Sequence, residues 1–198
     1  MMSKRRFRAV LRALTLFAVL VPLASEQSQA AGWQNIHAQG FEGPTFPTGS
    51  WITYDCSYSS TQGIWGKTFS KAYSGAAAVH PRGGTTPYNY NTCTWMRYGP
   101  FSLAGGATDA RMLFQYWLDT ELGYDFFRWE YTCDGGVGGE WTGQAVSGNV
   151  GMWNNTIFSL KPCVGKHGVY VQFMFVSDQS VNYSGVWVDN VRIQKFVP

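Results

Sequence analysis

The chain has 198 residues, of which 17% are aromatic and only 14% charged, with 23 glycines and four cysteines. Five of its 15 basic residues and one of its 12 acidic residues lie in 1–30, so its formal charge of +3 becomes ten basic against 11 acidic residues, a net of −1, over 31–198. No Lys/Arg cluster survives in that stretch to neutralise a row of phosphates, and nucleic-acid binding has no support in the composition.

The N-terminus reads as an export signal. Lys4, Arg5, Arg6, Arg8 and Arg12 precede an apolar run from Ala13 to Ala24, and Ser28-Gln29-Ala30 sets small residues ahead of a cleavage point before Ala31. The apolar run is shorter than the roughly 20 residues a membrane helix needs, so a membrane anchor is set aside and no span is expected after it. Ser3-Lys4-Arg5-Arg6-Phe7 carries a hint of a twin-arginine signal with one arginine replaced by lysine. The expected domains are a signal peptide over 1–30 and one domain over 31–198, long enough for its own core and destined for a secreted, extracellular location.

Beyond the signal, residues 31–39 read as a lead-in, and period-two alternation then recurs. Segment 110–118 puts Met112, Phe114, Tyr116 and Leu118 on one face. In 125–133, Phe127, Trp129 and Tyr131 share a face, with Phe126, Arg128, Glu130 and Thr132 on the other. In 168–176, Val169, Val171, Phe173 and Phe175 align, and 186–196 is a β-branched closing strand. Shorter strands are expected at 51–55, 76–80, 94–98, 140–146 and 155–160. Paired glycines at 83–84, 105–106, 135–136 and 138–139 punctuate them, and 81–93 is the most irregular loop. No stretch of helical period follows the signal. The expected fold class is all-β, an antiparallel β-sandwich.

Cys56, Cys93, Cys133 and Cys163 all follow the signal. An even count in an exported chain reads as two disulfides. Three pairings are possible, and the sequential one, Cys56–Cys93 with Cys133–Cys163, is favoured. Zinc is the competing use of these residues, but there is no CxxC pair and His37, His80 and His167 are scattered.

Three segments together carry a resemblance. Gly40-Phe41-Glu42-Gly43 with Phe46-Pro47 and Ser50-Trp51 resembles the opening of MAM-like jelly-roll modules of the bacterial choice-of-anchor or cleaved-adhesin type. Tyr124-Asp125 through Cys133-Asp134-Gly135-Gly136 to Glu140-Trp141 resembles their central hairpin. Phe173 to Phe175, Ser177-Asp178 and Gly185-Val186-Trp187-Val188-Asp189-Asn190-Val191 resemble their closing strand, and also the C-terminal jelly roll of immune-inhibitor-A-type metallopeptidases. The resemblance covers about 40 to 196 and implies a jelly roll. It also implies a calcium between the first and last strands, held by Glu42 and Asp189, with a turn such as Tyr73-Ser74-Gly75 supplying carbonyls; calcium prefers hard oxygen ligands. The competing reading has Asp189 accepting backbone N–H bonds or pairing with an arginine. Two departures weaken the match. Asn190 replaces a usual aspartate, and the four cysteines are not general to the family. The metallopeptidases' HExxH is absent, so protease activity does not carry over.

Catalytic patterns are not found. Asp119, Glu121, Asp125, Glu130 and Glu140 offer carboxylates for glycoside hydrolysis, but no recognisable cluster shares a strand face, and Glu130 beside Arg128 suggests a surface ion pair. No G-x-S-x-G occurs, and His80 and His167 read as solvated loop residues. Asp134-Gly135-Gly136 reads as a hairpin turn. The remaining signal is aromatic. Tyr88, Tyr90 and Trp95 lie in or beside the irregular loop and are the candidate ligand-binding residues, with Trp117, Tyr124, Trp141 and Trp153 near turns. The reading is a non-catalytic secreted module that binds an extracellular glycan or surface protein, stabilised by calcium and two disulfides. The alternatives are a secreted glycan hydrolase on the same scaffold, or an accessory domain separated from a protease.

Overall fold

The computed structural model describes residues 31–57, 63–135 and 139–198; the expected signal peptide and its cleavage point lie outside them. Strands follow the alternation closely. In chain order they are β1 (Gly32–Gln39), β2 (Trp51–Asp55), β3 (Gly66–Thr68), β4 (Ala78–His80), β5 (Cys93–Phe101), β6 (Asp109–Asp119), β7 (Phe126–Thr132), β8 (Thr142–Val146), β9 (Asn154–Ser159), β10 (Val169–Val176) and β11 (Gly185–Val197). A single 3₁₀ turn at Lys161–Cys163 is the only helical element among the described residues.

The strands form two antiparallel sheets. One has the order β3-β4-β11-β6-β9, with β1 also paired to β11; the other is β2-β5-β10-β7-β8. Sequence neighbours are mostly not sheet neighbours, as a jelly roll requires. The long β11 has one edge on β6, and the other edge takes β4 at Val188 and then β1 from Val191 to Val197.

The core is where the inward residues of both sheets meet. Met112, Phe114 and Leu118 of β6 face Phe127 and Trp129 of β7 and Val169, Val171, Phe173 and Phe175 of β10, all essentially inaccessible to solvent. Phe114 packs edge-on against Phe173 at 4.9 Å and Trp129 at 5.4 Å, geometries the ring quadrupoles favour. Each such side chain contributes about 1.5–3 kcal/mol on burial.

Two elements depart from expectation. The lead-in expected at 31–39 is a strand over nearly its whole length, β1. His37 explains its hold on the opposite sheet: the Trp51 indole N–H donates to His37 Nε2 at 3.0 Å, and the imidazole stacks on Tyr98 at 3.9 Å. Burial holds the His37 pKa below its ordinary value, as this acceptor role requires. His80 is not a solvated loop residue. It is fully buried, 4.8 Å from the Trp187 ring, accepting the Arg82 N–H at Nδ1 with Nε2 against the Ser184 carbonyl. His167 is exposed, as expected. Both disulfides have the sequential pairing, Cys56–Cys93 and Cys133–Cys163. β7 and β8 pair as an antiparallel hairpin across the Asp134-Gly135-Gly136 segment, of which Gly136 lies outside the described residues.

Candidate binding face

Two places in the sandwich concentrate polar side chains where a strand pattern would put them: the junction of the first and last strands, and the outer face of the five-stranded sheet.

At the first, Glu42 lies just past the end of β1 and Asp189 lies in β11, and both reach the turn at 73–77. Asp189 Oδ2 accepts the backbone N–H groups of Tyr73 and Ser74 at 2.9 and 3.1 Å, and Oδ1 that of Asn190 at 2.6 Å. Glu42 accepts from Ala76 and Ala77 at 3.1 Å. Gly75 is required here: its φ is +66°, and a Cβ would stand 2.5 Å from Glu42 Oε1. Asn190 has φ +50°, a region that Asn tolerates better than most residues, beside the bulge between Asp189 and Arg192. The turn therefore presents N–H groups to these carboxylates, where the resemblance had implied carbonyls. Asp189 is fully buried while Glu42 is exposed. Burial, and secondarily the negative charge of Glu42, push the Asp189 pKa above the usual carboxylate value, against the pull of its N–H donors. Among the described residues neither carboxylate has an ion-pair partner; Lys67 Nζ donates instead to the Glu42 and Gly43 carbonyls.

The second place is built by alternation across five strands. Outward residues of β2, β5, β10, β7 and β8 align by register into rows that cross the sheet. One row is Tyr54, Trp95, Met174, Arg128 and Ala145; the next is Ile52, Arg97, Gln172, Glu130 and Gly143. Tyr54 stacks on Trp95 with ring centres 5.2 Å apart and planes 25° apart. The Arg97 guanidinium lies 4.3 Å from the Trp95 ring and 4.5 Å from that of Trp141, between the two indoles. Its Nη2 donates to Gln172 Oε1 at 3.1 Å, and Gln172 Nε2 donates to Glu130 Oε2 at 2.6 Å. Arg128 Nη1 stands 3.8 Å from Glu130 Oε1, the ion pair the sequence suggested. Gly143 makes room for Glu130: a Cβ there would meet Glu130 Cγ at 2.4 Å and the Trp129 carbonyl at 2.3 Å. The result is a strip of alternating donors and acceptors flanked by aromatic walls.

The three loop aromatics separate in space. Trp95 stands on this strip. Tyr90 is exposed on the loop. Tyr88 has no exposed surface: its ring packs 4.9 Å from Phe175 and its hydroxyl donates to Asp125, so it plugs one end of the core and offers no face to a ligand. Trp141 belongs to the strip, whereas Trp117 and Trp153 lie together elsewhere, 6.3 Å apart. Tyr124 is exposed.

The carboxylates weighed for hydrolysis do not act together. Glu130 is on the strip and Glu140 is exposed. Asp119 ties Ser184 and Asn149 into the loops. Glu121 and Asp125 do meet, with Asp178, their oxygens within 4.8 Å of one another. Asp125, however, is fully buried, with its two oxygens accepting from the Tyr88 hydroxyl and the Asp178 N–H. That arrangement braces the β6–β7 and β10–β11 loops.

No protein-family model matches the chain, and no curated protein sequence matches it. Solved structures do. The K2 cleaved adhesin domain of Lys-gingipain is 15% identical with a TM-score of 0.55, over 79% of this chain and 96% of that one. The K3 cleaved adhesin domain of Lys-gingipain from Porphyromonas gingivalis is 12% identical with a TM-score of 0.56, over 81% and 99%. The CBM22-1 xylan-binding domain of Paenibacillus barcinonensis Xyn10C is 11% identical with a TM-score of 0.52, over 86% and 99%. Identity this low establishes the shared β-sandwich fold alone.

Proposed function

We propose that this chain is a secreted, non-catalytic β-sandwich module of the cleaved-adhesin type that binds an extracellular glycan across the outer face of its five-stranded sheet. The observation that carries the reading is the strip itself: Arg97 stacked between Trp95 and Trp141 and linked through Gln172 to Glu130. Sugars present an apolar ring face and a rim of hydroxyls. Indoles take the first, and the Glu130 carboxylate and the guanidiniums of Arg97 and Arg128 take the second, with buried Gln172 holding Glu130 and Arg97 in place. The fold neighbours support the reading, since they include a xylan-binding domain and adhesin domains. No described helix is long and apolar enough to cross a membrane.

Calcium at Glu42 and Asp189 is part of the proposal. The donor chemistry fits: two carboxylates bond the same 73–77 turn, with the Asn190 Oδ1 and Ser74 hydroxyl 3.1 Å apart beside Asp189, and neither carboxylate carries a cationic side chain among the described residues. A divalent ion would supply the charge that this like-charged pair lacks, over and above the N–H groups it already uses.

The test is a glycan array and calorimetry on the secreted protein, paired with a turnover screen on the same polymers. Binding without released product is expected, and Trp95→Ala should weaken it at least about tenfold while leaving the melting temperature nearly unchanged. Product release by the wild type would favour the hydrolase instead. Binding to a surface protein with no glycan hit would replace the ligand class.

A further inference from the structure

On the reading that the five-stranded face binds a glycan, we propose that this glycan carries uronic-acid carboxylates and that Arg128 receives them. The outward residues of that sheet include two guanidiniums, Arg97 and Arg128, and a single carboxylate, Glu130. The two arginines are held differently. Arg97 is enclosed by two indoles and its Nη2 is directed at Gln172, so it is fixed in the floor. Arg128 has a side chain 47% exposed, and its contact to Glu130, at 3.8 Å, is longer than a hydrogen bond. Glu130 makes its short bond to Gln172. With nearly half of its side chain exposed, the Arg128 guanidinium is open to a ligand above the sheet.

What lies beside it is a recess. Arg128 is paired in register with Ala145 and Glu130 with Gly143, so the strand opposite carries a methyl group and a hydrogen where larger side chains would fill the space. Arg128, Glu130, Trp141, Gly143, Gln144 and Ala145 line a shallow pocket of about 200 Å³. A pyranose ring laid against the Trp141 indole in this recess would carry the exocyclic carboxylate of a uronic acid toward the Arg128 guanidinium, since both residues line it. The planar fork of Arg matches a carboxylate bidentately, in a way that neither lysine nor a neutral amide reproduces. Glu130 lines the recess, and exposed Glu140 directly precedes Trp141 of its wall in the chain. They would repel a densely charged polymer, so the matching ligand carries carboxylates at intervals along an otherwise neutral backbone.

The experiment compares glucuronoxylan with the same polymer after chemical reduction of its carboxyl groups to hydroxymethyl groups, titrated against the secreted protein by calorimetry at two salt concentrations. The native polymer is expected to bind about tenfold or more tightly than the reduced one, the advantage shrinking at high salt because an exposed charge pair is screened. Arg128→Gln should cost about tenfold on the native polymer and less than about threefold on the reduced one, with Arg128→Lys between. Equal affinity for the two polymers, or equal losses from Arg128→Gln on both, overturns the inference and leaves the glycan reading standing. Failure of the protein to bind any glycan, acidic or neutral, overturns the underlying reading and this one with it. Because Arg128 is half-exposed, an unchanged melting temperature in the variants guards against loss by misfolding.

Discussion

On the outer face of the six-stranded sheet, Lys71 lies 3.7 Å from the Trp117 ring and 5.2 Å from Trp187, and Asp189 sits beside them. On the outer face of the five-stranded sheet, Arg97 lies between Trp95 and Trp141, and Glu130 sits beside them. Both faces carry indoles, a cation and a carboxylate; what differs is cover. Over the first, the chain from Ser70 to Ala77 is laid down as a strap: Ser70 accepts the Trp187 indole N–H, and Tyr73 and Ser74 donate to Asp189. Over the second, Ile52 and Tyr54 remain more than half exposed and the Arg128 side chain nearly half. Polar groups under a strap must be satisfied within the fold and become stability. On the open sheet buried Gln172 is also satisfied within the fold, but a group that reaches the surface, such as Arg128, is met by water and can exchange it for a ligand.

The largest effect should come from the covered face. Asp189→Ala removes the acceptor of three backbone N–H groups at a fully buried site and should lower stability by about 2–4 kcal/mol. Melting wild type and variant with excess calcium and with chelator separates the two uses of the carboxylate. If the pair also holds calcium, the wild type melts higher with the ion, and Glu42→Gln and Asp189→Ala shrink that gain. A wild type indifferent to both conditions, with no metal by elemental analysis, leaves Glu42 and Asp189 as N–H acceptors alone.

His80 gives the covered face a pH dependence. Burial first, with the Arg82 charge in support, depresses its pKa to about 4, against the usual 6.5. A depressed pKa means that the unfolded chain binds the proton more readily. The contribution is therefore complete above pH 6.5, declines as pH falls through the window down to about 4, and is worth on the order of 3 kcal/mol across it. His37 has the same sign, whereas buried Asp125 and Asp189, with raised pKa values, have the opposite one. The difference between wild type and His80→Gln isolates the histidine. The variant should be less stable at pH 7 and the gap should close toward pH 4. A gap independent of pH would mean that His80 is not held neutral.

This contrast explains what the sequence could and could not reveal. Alternation in 110–118, 125–133 and 168–176 marked the core residues, because each buries one full face. β1 escaped because Gly32–Gln39 has no apolar alternation; its place is set by the free edge of β11 and by the Trp51–His37 bond, both long-range. Tyr88 looked exposed because its neighbours are Pro, Gly and Asn, yet the open end of a sandwich needs a plug and its ring fills it. The strip was hidden for a topological reason. Its links, Arg97 to Gln172 and Gln172 to Glu130, are 75 and 42 residues apart and join strands that neighbour one another only in the folded sheet. Single outward residues were legible, but their rows were not. The strap was half legible: Asp189 stood out as a carboxylate in an apolar strand, but whether its partner would offer N–H groups or carbonyls depends on the path of a turn 115 residues away.

The smallest stability effect should come from Glu130→Gln on the open face. The new side chain keeps the shape that Gly143 accommodates, and its amide oxygen can still accept the Gln172 N–H. What disappears is a negative charge whose partner, Arg128, is half in water and 3.8 Å away, an interaction worth about 0–1 kcal/mol. Chemical denaturation should accordingly place the variant within about 1 kcal/mol of wild type, in contrast to Asp189→Ala. Binding should respond separately. Removing the carboxylate leaves Arg97 and Arg128 uncompensated by Glu130, so affinity for a carboxylate-bearing glycan should rise or hold while the salt dependence of binding steepens. A loss of stability as large as that of Asp189→Ala would mean that the Arg97–Gln172–Glu130 chain is a structural brace like the strap on the opposite face, and the distinction between covered and open faces would fail.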